Sequence, residues 1–469
     1  MKKNSNNIFT SAIAMAAVTL TAIFTACSNN DDPVIDDTTM VSTYTITVDA
    51  DLVSDNATTR ALDIDGTGVI KSTWAATDKV AVYYKNKNTF VGTLSPTTTG
   101  TASTTLTGTL SFPAAHPANS SYDLFLYFPS RDVSYDNQSG TLATIAQNND
   151  CAEATVDITA VDNTNKVITT GSASFTKQQA IVKFILKDKS GNSISASRLS
   201  ISDNKRKLVV TSNGSTTTNG CITITSLTPT SNYYVALQGI EDCDIFLSAI
   251  VGTDVYHYYK NNITFENGKS YTVTVKMEKM QSIQLWENGP YWADYNLPGH
   301  YQWGATTPSS SCNSESCPYY EKIDNKWTWT KYTDKGATLE LIDDAARSNW
   351  GTPWRMPTSA DFQALKDNTT FTYYQGENKY KGRNGILLTG KGSFSDKSIF
   401  LPYTGYWSGA TTIFGVDSNG EPTGGYYWSS SQDANVTNLA IEFGFSSTTP
   451  TLTNHPSRTR GCAIRPLHD

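Results

Sequence analysis

Charge is scarce in this chain. Asp, Glu, Lys and Arg together make up 17% of its 469 residues, and the formal net charge is −7. That balance leaves no basic face for nucleic acid and gives little reason to adsorb to anionic lipid by charge alone. Long stretches rich in Ala, Leu, Glu and Lys are missing as well, which argues against a helical enzyme. Histidine occurs five times, at scattered positions: His116, His257, His300, His455 and His468. Cys312 and Cys317 have the look of half a zinc site, but no second Cys/His pair follows at ligand spacing. No metal and no cofactor are therefore expected. There is no phosphate-cradling loop, no nucleophile–base–acid series and no pair of carboxylates in an aromatic cleft, so enzyme activity is not expected either.

Ser, Thr, Asn, Gly and Tyr are abundant instead, a composition typical of extracellular β-proteins. One long apolar run exists, Ile8 to Ala26, preceded by Lys2 and Lys3. It ends Phe24-Thr25-Ala26-Cys27, which resembles the lipobox of bacterial lipoproteins, although Phe24 replaces the usual leucine. The resemblance implies cleavage after residue 26 and acylation of Cys27, which anchors the chain by its lipid at the outer membrane. A transmembrane anchor is the alternative; Thr10, Ser11, Thr19, Thr21 and Thr25 dilute the run, and no second span follows. Residues 27–43 form an acidic spacer without apolar period, expected to be a disordered tether. They also resemble the short acidic signal that sends some lipoproteins to the cell surface. Six cysteines remain beyond Cys27, and proximity makes Cys312 and Cys317 the first candidate disulfide, with connectivity otherwise open.

From Tyr44 the pattern is period two. Tyr44, Ile46 and Val48 alternate with threonines, and many short apolar runs follow at regular spacing with Gly, Asn and Ser turns. The fold class expected is mostly β: two β-sandwiches, residues 44–160 and 161–279, then an α+β region, 280–469. The Thr59-Arg60-Ala61 loop, Trp74 with Asp78-Lys79-Val80-Ala81-Val82-Tyr83, and Asn267 to Val275 resemble the fimbrillin family of pilus subunits. That resemblance implies transthyretin-like sandwiches. It also implies protease cleavage after Arg60, loss of the strand carrying Tyr44, Ile46 and Val48, and refilling of its groove by a strand from another subunit. An ordinary solvated loop arginine is the alternative for Arg60.

Beyond Met280 the composition shifts: nine of the ten tryptophans lie there. Leu339, Ile342 and Ala346 predict a helix over 337–349, and Thr358-x-x-Asp361 predicts a capped helix start with Phe362 and Leu365 buried. Trp292 to Asn296, Tyr301-Gln302-Trp303-Gly304, Gly351 to Thr358, Phe400-Leu401-Pro402, Gly425 to Ser431 and Arg460 to Pro466 together resemble the Fibrobacter succinogenes major paralogous domain. This module implies a C-type-lectin-like fold. Most of those residues read as scaffold: Trp354, Trp428 and Ile464 in the core, and Arg355 as an internal hydrogen-bonding hub. The lectin-like fold also hosts formylglycine-generating oxidases, but their cysteine pair lies late in the domain and Cys312 and Cys317 lie early. Glu421-Pro422-Thr423 resembles the sugar-binding tripeptide of calcium-dependent lectins but lacks its asparagine. Tyr406 and Trp407, among glycines, are the candidate ligand contacts, with packing beneath a long loop as the alternative.

The expected function is a surface-exposed lipoprotein adhesin, an accessory or tip subunit of a pilus. Its partners would be other subunits, joined by strand addition, and a glycan or protein receptor. The chain stops two residues after Leu467, so a terminal place in the fibre is expected. The alternative is a monomeric glycan-capture lipoprotein of the outer membrane.

Overall fold

Alternating burial makes the first strand. Along Ser42–Leu52, Tyr44, Ile46, Val48, Ala50 and Leu52 are each at most 3% exposed, while the residues between them face solvent. The pattern follows from successive side chains pointing to opposite faces of a pleated strand. The structure, a computed structural model, describes residues 41–469 except 53–62, 65–69, 86, 88, 115–116, 137, 206, 213–216, 219, 310, 410–411, 448 and 453–455. The signal segment 1–26, Cys27, most of the tether and Arg60 lie outside the described residues.

Eight strands form the first sheet, in the order Val167–Thr170, Ser42–Leu52, Ala173–Lys177, Ala152–Asp162, Asp123–Phe128, Val80–Tyr84, Thr89–Pro96, Ser103–Phe112. The first strand also pairs antiparallel with Ser103–Phe112, so the sheet closes on itself. Inside lies a core that includes Trp74, 0% exposed, set edge-on against Phe128 and Phe175.

A seven-stranded sheet follows: Cys221–Thr230, Ala196–Asp203, Ile240–Val251, Asp254–Phe265, Ser270–Lys279, Ala180–Asp188, Asn232–Leu237. The expected division at 160/161 is corrected here. Val167–Thr170 and Ala173–Lys177 belong to the first sheet, and the second begins at Ala180. The physical reason is pairing: Ala50 and Leu52 face Ala173 and Phe175 in register, and Phe175 fills the first core. The two layers also share material. Val133–Ser134 pairs with Val209–Ser212, and the helix Leu142–Asn148 buries Ile145 and Ala146 in the second core. Gln138 ties this excursion down, its amide bonded to both the N–H and the C=O of Ala236.

Residues 280–469 are short strands and loops around two aromatic cores. The capped helix stands where the sequence places it, at Ser359–Asn368, with a complete capping box between Thr358 and Asp361 and with Phe362 and Leu365 buried. The expected helix over 337–349 is corrected: a single 3-10 turn, Leu341–Asp343, precedes a separate helix, Ala345–Trp350. Asp344 caps the second helix by accepting from Arg347 N–H, and Asp343 is held by Tyr319, Lys331 and Tyr332, so the periodic run is broken between them. Ile342, one of the residues whose spacing suggested that helix, is 76% exposed.

Two arginines organise this region. Arg465, 1% exposed, bonds Asn296 and the carbonyls of Ala293 and Phe400. Arg458, 0% exposed, bonds the carbonyls of Tyr332, Thr437 and Lys331. Burial pulls both guanidinium pKa values down to about 10. Arg355, expected as the internal hub, lies nearer the surface and pairs with Asp361 and Asp469. Trp354 is half-buried against Trp350 and His468, whereas Trp428 and Ile464 are buried.

Candidate functional site

The first strand is held on both sides. Tyr44, Ile46 and Val48 face Leu110, Gly108 and Leu106 of the antiparallel neighbour, while Thr45 to Thr47 pair parallel with Val167 to Thr169. Gly108 serves close approach, because a Cβ there would stand 2.5 Å from the carbonyl oxygen of Thr93. Tyr44 is fixed further by its hydroxyl, which donates to Asn163 at 2.6 Å, and by Lys166 Nζ 5.1 Å from its ring centroid. Removing Ser42–Leu52 would leave a groove lined by five vacated apolar positions, flanked by two unpaired backbone ladders. Each large apolar side chain returned to water costs about 1.5–3 kcal/mol, so such a groove favours refilling by a strand of the same alternation.

The two candidate ligand contacts separate. Trp407 is 4% exposed and lies under the loop, with its ring edge against His300. Burial by its neighbours leaves it no face for a ligand, which corrects its assignment as a contact. Tyr406 is half-buried, stacked on Phe414 on one side with the Arg460 guanidinium 3.8 Å from its ring centroid. Glu421 is engaged elsewhere: its carboxylate pairs with Lys205 at 3.3 Å and accepts from Asn204, both on the second layer.

The expected Cys312–Cys317 disulfide is also corrected. Both are separate, buried thiols, as are Cys151, Cys221, Cys243 and Cys462. The Cys317 S–H points to the carbonyl of Arg458 and that of Cys462 to Glu442, so each sulfur has a local partner. Burial pushes the Cys243 and Cys317 thiols up to about 12 and the Cys462 thiol well above its ordinary value. None of these is an activated nucleophile.

The sequence reading missed a hairpin, Tyr320–Ile323 paired with Lys326–Trp329. Its rings form a column: Arg458 lies 3.7 Å from the Trp329 centroid, Tyr320 stacks on Trp329 at 4.2 Å, and Trp327 lies 5.3 Å from Tyr320. The tryptophans two apart, Trp327 and Trp329, were a legible strand signal; Tyr320 opposite them and the arginine beneath were not.

The fold class is thus mostly β, two strand-built layers followed by a loop-rich region with short helices. The chain matches no protein-family model and no curated protein. Among solved structures, a candidate cell adhesion protein from Bacteroides uniformis is similar over 50% of this chain and 97% of its own, at 17% identity and a TM-score of 0.30. The tip fimbrial protein Mfa3 from Porphyromonas gingivalis is similar over 50% of this chain and 95% of its own, at 11% identity and a TM-score of 0.28. A fimbrial protein from Bacteroides ovatus is similar over 92% of this chain and 100% of its own, at 10% identity and a TM-score of 0.24. Likeness at this level transfers no function to the chain.

Proposed function

We propose that this protein is a surface-exposed lipoprotein adhesin of the fimbrillin type. It would be an accessory or tip subunit of a pilus assembled by strand addition, with the lectin-like region 280–469 as its ligand-bearing head. The observation that carries the reading is the placement of Ser42–Leu52. This first strand closes the sheet through its two flanking ladders and fills the core with every second side chain. Among the described strands of this sheet, it is the one whose departure would leave a continuous acceptor groove without breaking into the chain between later strands. The loop that follows it carries Arg60, the proposed cleavage point, and the sequence around Cys27 supplies the proposed lipid anchor at the outer membrane. Leu467–His468 is paired within its own region, so that segment is not the donor.

One feature favours the alternative of a monomeric glycan-capture lipoprotein. Uncut, the sheet is closed at the first strand and offers no acceptor edge there. Digestion with an arginine-specific protease separates the two readings. The adhesin reading expects a cut at Arg60, release of the segment ending there and strand-linked oligomers by native mass spectrometry, all abolished by Arg60→Ala. A cut protein that keeps its first strand and stays monomeric would sink it.

A further inference from the structure

A cleft of about 590 Å³ opens in the C-terminal region between Gln302, Gly304 to Ser309 and Ser311 on one side and Tyr319, Lys331 and Ile342 on the other. That is the size of a small-ligand site. Its hydrogen-bonding groups are out of balance. Gln302 is 1% exposed, and its Nε2 donates to the carbonyls of Asn313 and Thr459 at 2.9 and 3.0 Å. Its Oε1, and the hydroxyl of Ser311, are buried without partners. A buried polar atom left unsatisfied is costly, so these two positions suit hydrogen bonds supplied from outside the chain. The two charged groups on the wall are already paired with each other: Lys331 Nζ sits 2.6 Å from Asp343, which also accepts from the Tyr319 and Tyr332 hydroxyls. The cleft therefore asks for hydroxyl groups and not for an ion.

The aromatic hairpin rises from the same rim. Pro318 and Tyr319, which line the cleft, lead into its first strand, and Lys331 follows its second. The column runs from Arg458 through Trp329 and Tyr320 to Trp327, which is only half-buried. An anchored, partly exposed indole presents a flat apolar face at little entropic cost.

We infer that the cleft and hairpin together bind a neutral oligosaccharide. One sugar hydroxyl donates to Gln302 Oε1, another exchanges a hydrogen bond with Ser311, and the apolar face of a neighbouring ring lies on Trp327. This rests on the reading of residues 280–469 as a ligand-bearing head, moves its site away from Tyr406 and Trp407, and does not involve strand addition.

The test is calorimetric titration of the uncut full chain with maltohexaose, mannohexaose, xylohexaose and N-acetyllactosamine, and with sialyllactose and a heparin hexasaccharide as charged probes. At least one neutral sugar should bind, with about tenfold weaker affinity in Trp327→Ala and in Ser311→Ala, both checked for an unchanged melting temperature. If Trp327→Ala proves unstable, the Ser311→Ala result decides. No binding by any neutral probe, binding of charged probes alone, or affinities unmoved by the substitutions would overturn the proposal. Because the uncut chain is used, failure here leaves the strand-acceptor reading standing, and failure of the protease test leaves this one.

Discussion

The imidazole of His257 lies flat on the phenol ring of Tyr295, centroids 4.5 Å apart and planes 9° from parallel. His257 comes from strand Asp254–Phe265 of the second layer, and Tyr295 from the region beyond residue 280. Phe246 flanks Tyr295 at 6.1 Å, and the Arg383 guanidinium lies 4.9 Å from Tyr259 and 6.0 Å from Tyr295. Val255, Met280 and Tyr295 share one core cluster with Trp303 and Trp428. The C-terminal region is thus packed onto the second layer through a buried aromatic seam and is not carried on a loose linker.

The seam makes a sharp prediction. The Tyr295 hydroxyl is buried without a partner, so Tyr295→Phe should leave stability unchanged or slightly raised. Tyr295→Ala should cost about 3 kcal/mol, as for other buried aromatic truncations. Urea unfolding of both variants measures the difference, and limited proteolysis near residue 280 should speed up only in the alanine variant.

A second prediction concerns the join between the two layers. Lys177 Nζ lies 2.6 Å from Asp150, with side chains 4% and 2% exposed, and Gln179 donates to the same carboxylate at 2.7 Å. Lys177→Met strands a buried charge and should cost about 3–5 kcal/mol, whereas Asp150→Leu with Lys177→Met should recover most of it. A double-mutant cycle by denaturant unfolding reads the coupling.

Acid should weaken the C-terminal region through Asp361. Burial alone would raise its pKa, but Arg355 Nη1 at 2.7 Å and the backbone and side-chain donors of Thr358 bring the net value below the ordinary one. A depressed folded-state pKa gives stability that is complete above the unfolded value, about 4, and is lost as pH falls through the lower folded value. Asp361→Asn should therefore lower stability by about 1–2 kcal/mol at pH 7, with the gap to the parent closing below about pH 4. Thermal melts from pH 7 to pH 3 follow it.

The cysteines supply a chemical check. All six beyond Cys27 are buried thiols, and burial raises the pKa of Cys221, Cys243, Cys317 and Cys462. None should react with a thiol reagent at pH 8 within minutes, and all six should react in denaturant without a reductant. Finding only four would restore the Cys312–Cys317 bridge.

Local rules were readable in the chain itself. Alternation at Tyr44, Ile46 and Val48 set a pleated strand, because side chains two apart must share a face. Thr358 and Asp361 set a helix start, because their side chains satisfy backbone donors only a few bonds away. The shift in tryptophan content marked the last region for the same reason, since composition needs no partner to be read.

Partnership across the chain was decided only on folding. Phe175 belongs to the first core because it lies beside Trp74, a hundred residues earlier, and no local pattern records that contact. Trp407 and Trp327 look alike as aromatics in polar surroundings, yet one is covered and the other is half-buried at the end of a ring column that starts on Arg458. Exposure, pairing and charge balance depend on atoms that distant segments bring together; periodicity and caps depend on neighbours along the backbone, and the sequence could speak for those alone.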